Sequence, residues 1–188
     1  MAISLYDLSV STFLQTTRAL SGVLDRAARH CANTGANADD FVRASLYPDM
    51  APFQFQIEAV KNHAVWGVKA AMTGVFDPPP LVWPSSFAGL QAMINETVTA
   101  LEAFTPDEVN AASGRNFEIE IHQPVDEKNH ITSKWGPRIL AFTPETFLLS
   151  YSLPNFHFHA VTAYDILRTR GVPIGKFDYQ GRLRTRTA

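Results

Sequence analysis

Four stretches of this sequence repeat apolar residues at three- and four-residue steps, which is the period of an amphipathic α-helix. They begin near Ser9, Pro52, Ser85 and Thr143. A helix with one apolar face has to bury that face against another element, and four such helices joined by short links can share one core. The pattern therefore predicts an all-α fold, a four-helix bundle formed by a single domain.

Capping and breaking residues set the predicted ends of these helices. Ser9 is the expected N-cap of the first helix, and Gly35 and Gly74 are expected to end the first and the second. Thr143, followed directly by a proline, is a strong start signal for the fourth helix. Pro154 lies inside that helix and is expected to kink or restart it, because proline lacks a backbone donor.

Two segments between the helices lack the helical period. Residues 75–86 include three consecutive prolines and predict a stiff, extended connection. Residues 117–122 alternate apolar and polar side chains, which is typical of a half-exposed strand, and the segment "RILAF" is a suitable return strand. The sequence thus predicts a small β-hairpin excursion before the last helix.

Charge and cysteine content exclude several classes of protein. The 188 residues carry a net charge of −2, so nothing indicates nucleic acid or a membrane as a partner. A single cysteine excludes an internal disulfide and a cysteine-rich zinc site. We expect a cytoplasmic protein, because no signal peptide and no membrane-spanning run is recognisable. The predicted domain covers residues 1–181, and residues 182–188 are expected to form a flexible basic tail.

The polar residues best suited to form a site lie on the second and fourth helices. His157 and His159 are two positions apart and project to nearly opposite sides of a helix, whereas Asn155 and His159 are four apart and share a face. Gln56 and His63 are seven apart and also share a face. A polar cluster of Gln56, His63, Asn155 and His159 inside the bundle is one hypothesis. In the alternative, His63 and His157 are exposed and His159 is a buried, hydrogen-bonded histidine.

Three segments resemble a known family. They are "ISLYDLSVSTFLQ", "LYPDMAPFQFQIE" and, most specifically, "LPNFHFHAVTAYDILRTRGVPIGKFDYQG". They resemble the bacterial and fungal proteins grouped as domain of unknown function 1993, within the DinB/YfiT-like superfamily. The resemblance covers nearly the whole chain. It implies a DinB-like four-helix bundle and a homodimer.

The resemblance also bears on metal binding, because many DinB-like proteins hold a divalent metal with three histidines. Superposing that pattern on the last helix puts His159 at one ligand position and Asn155 at another. The position expected on the second helix falls on Gln56. Since asparagine is a poor ligand for transition metals, we expect no cofactor and a metal-free pocket. In the alternative, zinc or nickel is held by His159 and His63, with Asp49 or Gln56 completing the shell.

These observations lead to several hypotheses for the function. The first is a protein of no established activity that binds a small molecule in a polar pocket. The second is a cofactor-free isomerase or cyclase in which His159 acts as acid or base, held by Asn155, while Gln56 and Tyr164 orient the substrate. Other hypotheses are a metal-dependent hydrolase or thiol transferase, and a purely structural polar network. The residues expected to contact the small molecule are Gln56, His63 and Asp49.

Overall fold

The computed structural model describes residues 3–122 and 138–185. Within them the protein is mostly helical, with a small sheet. The helices are α1 (Leu5–Leu8), α2 (Val10–Thr34), α3 (Phe53–Lys61), α4 (Gly67–Thr73), α5 (Phe87–Glu102), α6 (Pro106–Asn110), α7 (Pro144–Phe147), α8 (Leu153–Thr169) and α9 (Lys176–Gln180). A short 3₁₀ helix covers Ala38–Phe41. The strands are β1 (Val75–Phe76), β2 (Phe117–Ile121) and β3 (Arg138–Phe142).

The structure has the two predicted glycine helix ends and the predicted N-cap residue of the first long helix, although this residue caps in a different way. Gly35 and Gly74 adopt left-handed backbone conformations, with φ of 74° and 84°, and end α2 and α4. Ser9 is the N-cap residue of α2, as predicted, but its side chain makes no capping hydrogen bond. Its hydroxyl donates instead to the carbonyl of Leu5 in the short helix α1, which is capped by Ser4.

Two wide turns interrupt the long helices. The first π turn (Asn62–Trp66) joins α3 to α4, and the second π turn (Leu148–Ser152) joins α7 to α8. The second ends two residues before Pro154, whose ring crowds the carbonyl four residues earlier. The proline therefore does alter the helix, as its position predicts, but by a wider turn. The helix continues to Thr169.

The sheet has the order β1-β2-β3. β2 and β3 pair antiparallel, while the turn predicted between them lies outside the described residues. β1 pairs in parallel with β2, through the bonds from the Glu120 amide to the Gly74 carbonyl and from the His122 amide to the Phe76 carbonyl, both 3.0 Å. The extended connection predicted from residue 75 thus begins as a strand. This pairing fixes Phe76 at the end of α4.

The core lies between the long helical segments. α2 packs against α5, and α3 packs against α8. Each fully buried phenylalanine contributes about 1.5–3 kcal/mol of hydrophobic stabilisation, and the core contains six: Phe13, Phe53, Phe76, Phe87, Phe147 and Phe156. The four-helix-bundle arrangement stays a prediction. No helix in the described part of the chain is long and apolar enough to cross a membrane.

The end of the described chain is held on the helices. Arg184 donates to the carbonyl of Asp7 and to the hydroxyl of Thr12, at 3.2 and 3.1 Å. The side chain of Gln15 donates to the carbonyl of Gln180 at 3.1 Å. The first part of the segment predicted as a flexible tail is therefore in contact with α2.

Candidate functional site

Two histidines that are distant in the sequence meet between the second and the last helical segments. His63 lies in the first π turn and His159 lies on α8. Their rings are nearly parallel, with an interplanar angle of 12° and centroids 5.7 Å apart. Both side chains are half-buried. The packing of α3 against α8 brings them together.

Gln56 fixes the tautomer of His159. The amide nitrogen of Gln56 donates to the carbonyl of Ala51 at 2.8 Å, which orients the side-chain oxygen toward His159. That oxygen lies 2.7 Å from Nδ1 of His159. An amide oxygen only accepts, so Nδ1 must carry a proton, and in the neutral imidazole Nε2 then keeps its lone pair. The site therefore presents a hydrogen-bond acceptor in one defined tautomer.

Aromatic rings surround the two imidazoles. His63 stacks on Phe76, with centroids 5.3 Å apart and an interplanar angle of 17°, and meets the edge of Tyr151 at 5.7 Å. His159 makes edge-on contacts with Phe55 at 5.7 Å and Phe158 at 5.2 Å. Phe76, His63 and His159 thus form a series of nearly parallel rings. The surroundings of both imidazoles are apolar.

Both histidines are neutral at pH 7 as a result. Burial, and to a lesser extent the neighbouring His159, lowers the pKa of His63 from 6.5 to about 3. Burial lowers the pKa of His159 from 6.5 to about 4. The hypothesis of His159 as an acid or base supposed an ordinary histidine pKa. The structure instead favours a neutral hydrogen-bonding group.

His63 carries an unsatisfied atom. Its Nδ1 is buried and has no hydrogen-bond partner in the described part of the chain. A buried polar atom without a partner costs about 1–3 kcal/mol. Such atoms are uncommon in folded proteins and often mark a functional site or an ordered water.

The two π turns hold His63 in place. The hydroxyl of Ser152, in the second π turn, donates to the backbone carbonyl of His63 at 2.7 Å. Gly67 permits this approach, because a Cβ at that position would collide with the Ser152 hydroxyl oxygen. Wide turns of this kind are frequent at functional sites. Here one contains His63 and the other contains Tyr151.

Three of the predicted site residues lie elsewhere or act differently. Asn155 donates to the carbonyl of Tyr151 at 2.7 Å, so it bonds to its own helix, and Gln56 holds His159 instead. Asp49 is exposed in the turn before α3. Tyr164 donates to the carbonyl of Ile174 at 3.2 Å, on a different side of α8, because five helical positions separate it from His159 by more than a third of a turn.

The alternative with exposed histidines is also wrong. His63 is half-buried in the aromatic cluster, and His157 is half-buried with Nδ1 3.1 Å from the hydroxyl of Tyr179. His157 and His159 therefore have separate partners, in agreement with their two-residue spacing on a helix.

The residues present do not fit a protein-held metal site. In residues 3–122 and 138–185, no three side chains of His, Cys, Asp or Glu come together. A catalytic zinc site uses three protein ligands, whereas only two imidazoles meet here. The oxygen of Gln56 is already engaged with Nδ1 of His159. We therefore derive no chemistry from a metal at this site.

The aromatic wall formed by Phe55, Phe76 and Tyr151 was not predicted from the sequence. Helical periodicity does not cover Phe76, and it carries no information about which polar group an aromatic side chain covers. Tyr151 and His63 become neighbours only through the two π turns, and no residue pattern in this sequence signals the first of these turns. For Phe76 the sequence offered one indication, the predicted helix end at Gly74, which places this residue just beyond the helix.

A buried carboxylate near the site was missed as well. Glu58 is 1% exposed and accepts hydrogen bonds from the amides of Val82 at 2.8 Å and Trp83 at 3.2 Å. Lys61 lies 3.6 Å from the same carboxylate. Trp83 has a φ of 49°, unusual for a residue with a side chain, and its ring lies against Phe55 at 5.9 Å. Glu58 thus attaches the proline-rich connection beside the site.

Comparison with known proteins identifies a family and a similar solved structure. The model of the family described as "Domain of unknown function (DUF1993)" matches residues 5–180. The crystal structure of a DinB family member protein from Shewanella denitrificans is similar to this chain, with a TM-score of 0.75 and 28% sequence identity over 98% of this chain and 96% of that one. No curated protein matches the chain significantly.

Proposed function

Because this chain belongs to the family described as domain of unknown function 1993, whose description assigns no activity, we propose a function from the site itself. The resemblance predicted from the sequence is confirmed by the family match and by the DinB family structure. We propose that the protein binds a small molecule beside His159. The ligand donates a hydrogen bond to Nε2 of that residue.

The arrangement of Ala51, Gln56 and His159 is the observation that carries this proposal. The two hydrogen bonds, of 2.8 and 2.7 Å, leave one imidazole nitrogen as an acceptor with a defined direction. Keeping a buried imidazole neutral and in one tautomer is typical of a binding site whose polar groups are few and precisely placed. The unsatisfied Nδ1 of His63 supports the same assignment.

Acid–base catalysis is a second candidate, supported by the pairing of His63 with His159. An isomerisation or cyclisation needs a proton removed at one atom and returned at another, and two neutral imidazoles with centroids 5.7 Å apart are spaced to serve both ends of a small substrate. The lowered pKa of His159 makes it a weak base. This candidate therefore requires a substrate with an acidic proton.

Histidine NMR tests the binding proposal. The protein is labelled in its histidine rings and titrated with a chemically diverse fragment library, and the signals are assigned with His63→Phe and His159→Phe. We expect some fragments to shift the signals of His159 and His63. His159→Phe should weaken their binding at least about tenfold, because a hydrogen bond in a buried site contributes about 1.4 kcal/mol or more.

His157→Phe is the matched control, since His157 is a half-buried histidine of the same helix that bonds to Tyr179. It should leave binding unchanged. The proposal is overturned if no fragment shifts either signal, or if His159→Phe and His157→Phe weaken binding equally.

A further inference from the structure

The chemistry around His159 restricts the ligand further, on the premise that the proposed binding function is correct. We infer that the ligand is a neutral, planar aromatic or conjugated molecule with a hydroxyl group, such as a phenol or an enol. The ring system would pack among the aromatic side chains of the site, and the hydroxyl would donate to Nε2 of His159. Shape, charge and hydrogen bonding each carry one part of this assignment.

The shape follows from the ring geometry. Phe76, His63 and His159 are nearly parallel, with interplanar angles of 17° and 12° between successive rings. A flat ring whose hydroxyl reaches Nε2 lies near the plane of the His159 imidazole and therefore nearly parallel to the other two rings, where aromatic contacts contribute about 0.5–1.5 kcal/mol per pair beyond the area they bury. A saturated ring has no π face and cannot make these contacts. The site therefore favours a planar molecule.

The neighbours of the two histidines in the described part of the chain carry no charge. His159 bonds to the amide of Gln56 and contacts the rings of Phe55 and Phe158. His63 contacts the rings of Phe76 and Tyr151. An anionic ligand would lose its hydration beside neutral rings without gaining an ion pair, which is costly. A neutral ligand avoids this cost.

The hydroxyl follows from the tautomer. Because Nδ1 of His159 donates to Gln56, Nε2 of the neutral imidazole can only accept. The ligand must supply the proton in that hydrogen bond. A phenol or enol hydroxyl lies in the plane of its own ring, so that one group can reach Nε2 while the ring stays among the aromatic side chains.

The edge of the site is apolar too. Phe158, which contacts His159, is 59% exposed, and Val82, which precedes Trp83, is 65% exposed. Exposed apolar side chains near a half-buried polar group are typical of a ligand site. They suit the entry of an aromatic molecule.

Four related probes test the inference, each titrated into the full-length protein while the ring signals of His159 and His63 are followed. 2-Naphthol has the flat ring and the hydroxyl. 2-Methoxynaphthalene lacks the donor, decahydro-2-naphthol lacks the planarity, and 2-naphthoate carries a negative charge. We expect 2-naphthol to bind most tightly and each of the other three to bind at least about tenfold more weakly.

The variants separate specific recognition from unspecific apolar binding. In His159→Phe, the preference for 2-naphthol over 2-methoxynaphthalene should disappear, while His157→Phe should keep it. The inference is overturned if 2-naphthoate or decahydro-2-naphthol binds as tightly as 2-naphthol, or if the preference persists in His159→Phe.

The two proposals fail in different ways. If library fragments of another class shift the His159 signal and 2-naphthol does not, the ligand class is wrong and the binding function stands. If neither the library nor the four probes shift the signals of His159 and His63, both proposals are wrong.

Discussion

The hydroxyl of Ser152 donates a 2.7 Å hydrogen bond to the backbone carbonyl of His63, and this bond joins the second π turn to the first. One turn carries His63, and the other precedes α8, which carries His159. The spacing of the two imidazoles therefore depends on a contact made outside the aromatic cluster itself.

The contact of Ser152 with Gly67 gives the first prediction. Gly67→Ala should destabilise the protein by about 1–3 kcal/mol, because the added methyl group meets the Ser152 hydroxyl. Ser152→Ala should cost about 1 kcal/mol through the lost hydrogen bond. The double variant should lose less than the sum, as expected for residues in contact. Urea unfolding measures all three, and additive losses would contradict the predicted contact.

Replacing Gln56 should remove the hydrogen bond that fixes the tautomer of His159. Gln56→Leu removes the acceptor of Nδ1 and leaves the Ala51 carbonyl without its partner, so the free energy of unfolding should fall by about 1–3 kcal/mol. Nitrogen chemical shifts should show His159 changing from one tautomer to a mixture.

Gln54→Leu provides the control, because Gln54 is also buried but lies two positions away and projects to another side of α3. It should leave the tautomer of His159 unchanged. If Gln56→Leu also leaves the tautomer unchanged, the assigned role of Gln56 is wrong.

Stability should depend on pH through the two imidazoles. The pKa of His63 is lowered to about 3 and that of His159 to about 4, whereas the unfolded chain titrates near 6.5. Between about pH 6.5 and about pH 4 the unfolded state therefore binds more protons than the folded state, so the free energy of unfolding falls as the pH falls. The limiting slope is about 1.4 kcal/mol per pH unit for each histidine.

Urea unfolding between about pH 7 and about pH 5 measures this slope above the range in which ordinary carboxylates titrate. His63→Phe should make the dependence shallower, because one of the two neutral imidazoles is gone. If the free energy of unfolding depends on pH equally in His63→Phe and in the unchanged protein, the pKa of His63 is the same in the folded and the unfolded state.

Glu58 should control the proline-rich connection. Glu58→Ala leaves the amides of Val82 and Trp83 without their acceptor, and we expect a loss of about 1–3 kcal/mol. Hydrogen exchange at these two amides should become faster. Lys61→Met is the control, because it removes only the 3.6 Å ion pair. It should change the exchange rates of these two amides far less than Glu58→Ala does. Unchanged exchange in Glu58→Ala would contradict the attachment.

The homodimer stays a prediction from the resemblance. Light scattering coupled to size exclusion should give twice the 20.8 kDa mass of one chain. A mass of one chain at every concentration measured would rule it out.

Local chemistry determined much of what the sequence alone predicted. Gly35 and Gly74 end helices because left-handed backbone suits glycine, and Thr143 with Pro144 begins one because both act within a single turn. The face shared by Gln56 and His63 also follows from helical geometry. These properties need only neighbouring residues, so a residue pattern contains them.

Tertiary structure alone decided how the site is assembled. His159 meets Gln56 across 103 positions of the chain, and its contact with His63 depends on a π turn and on the Ser152 bond. The period of a helix defines its buried face but not which residue of another helix lies opposite. For that reason the spacing that puts Asn155 and His159 on one helix face does not identify the partner of His159, whereas the packing of α3 on α8 puts Gln56 and His63 beside it.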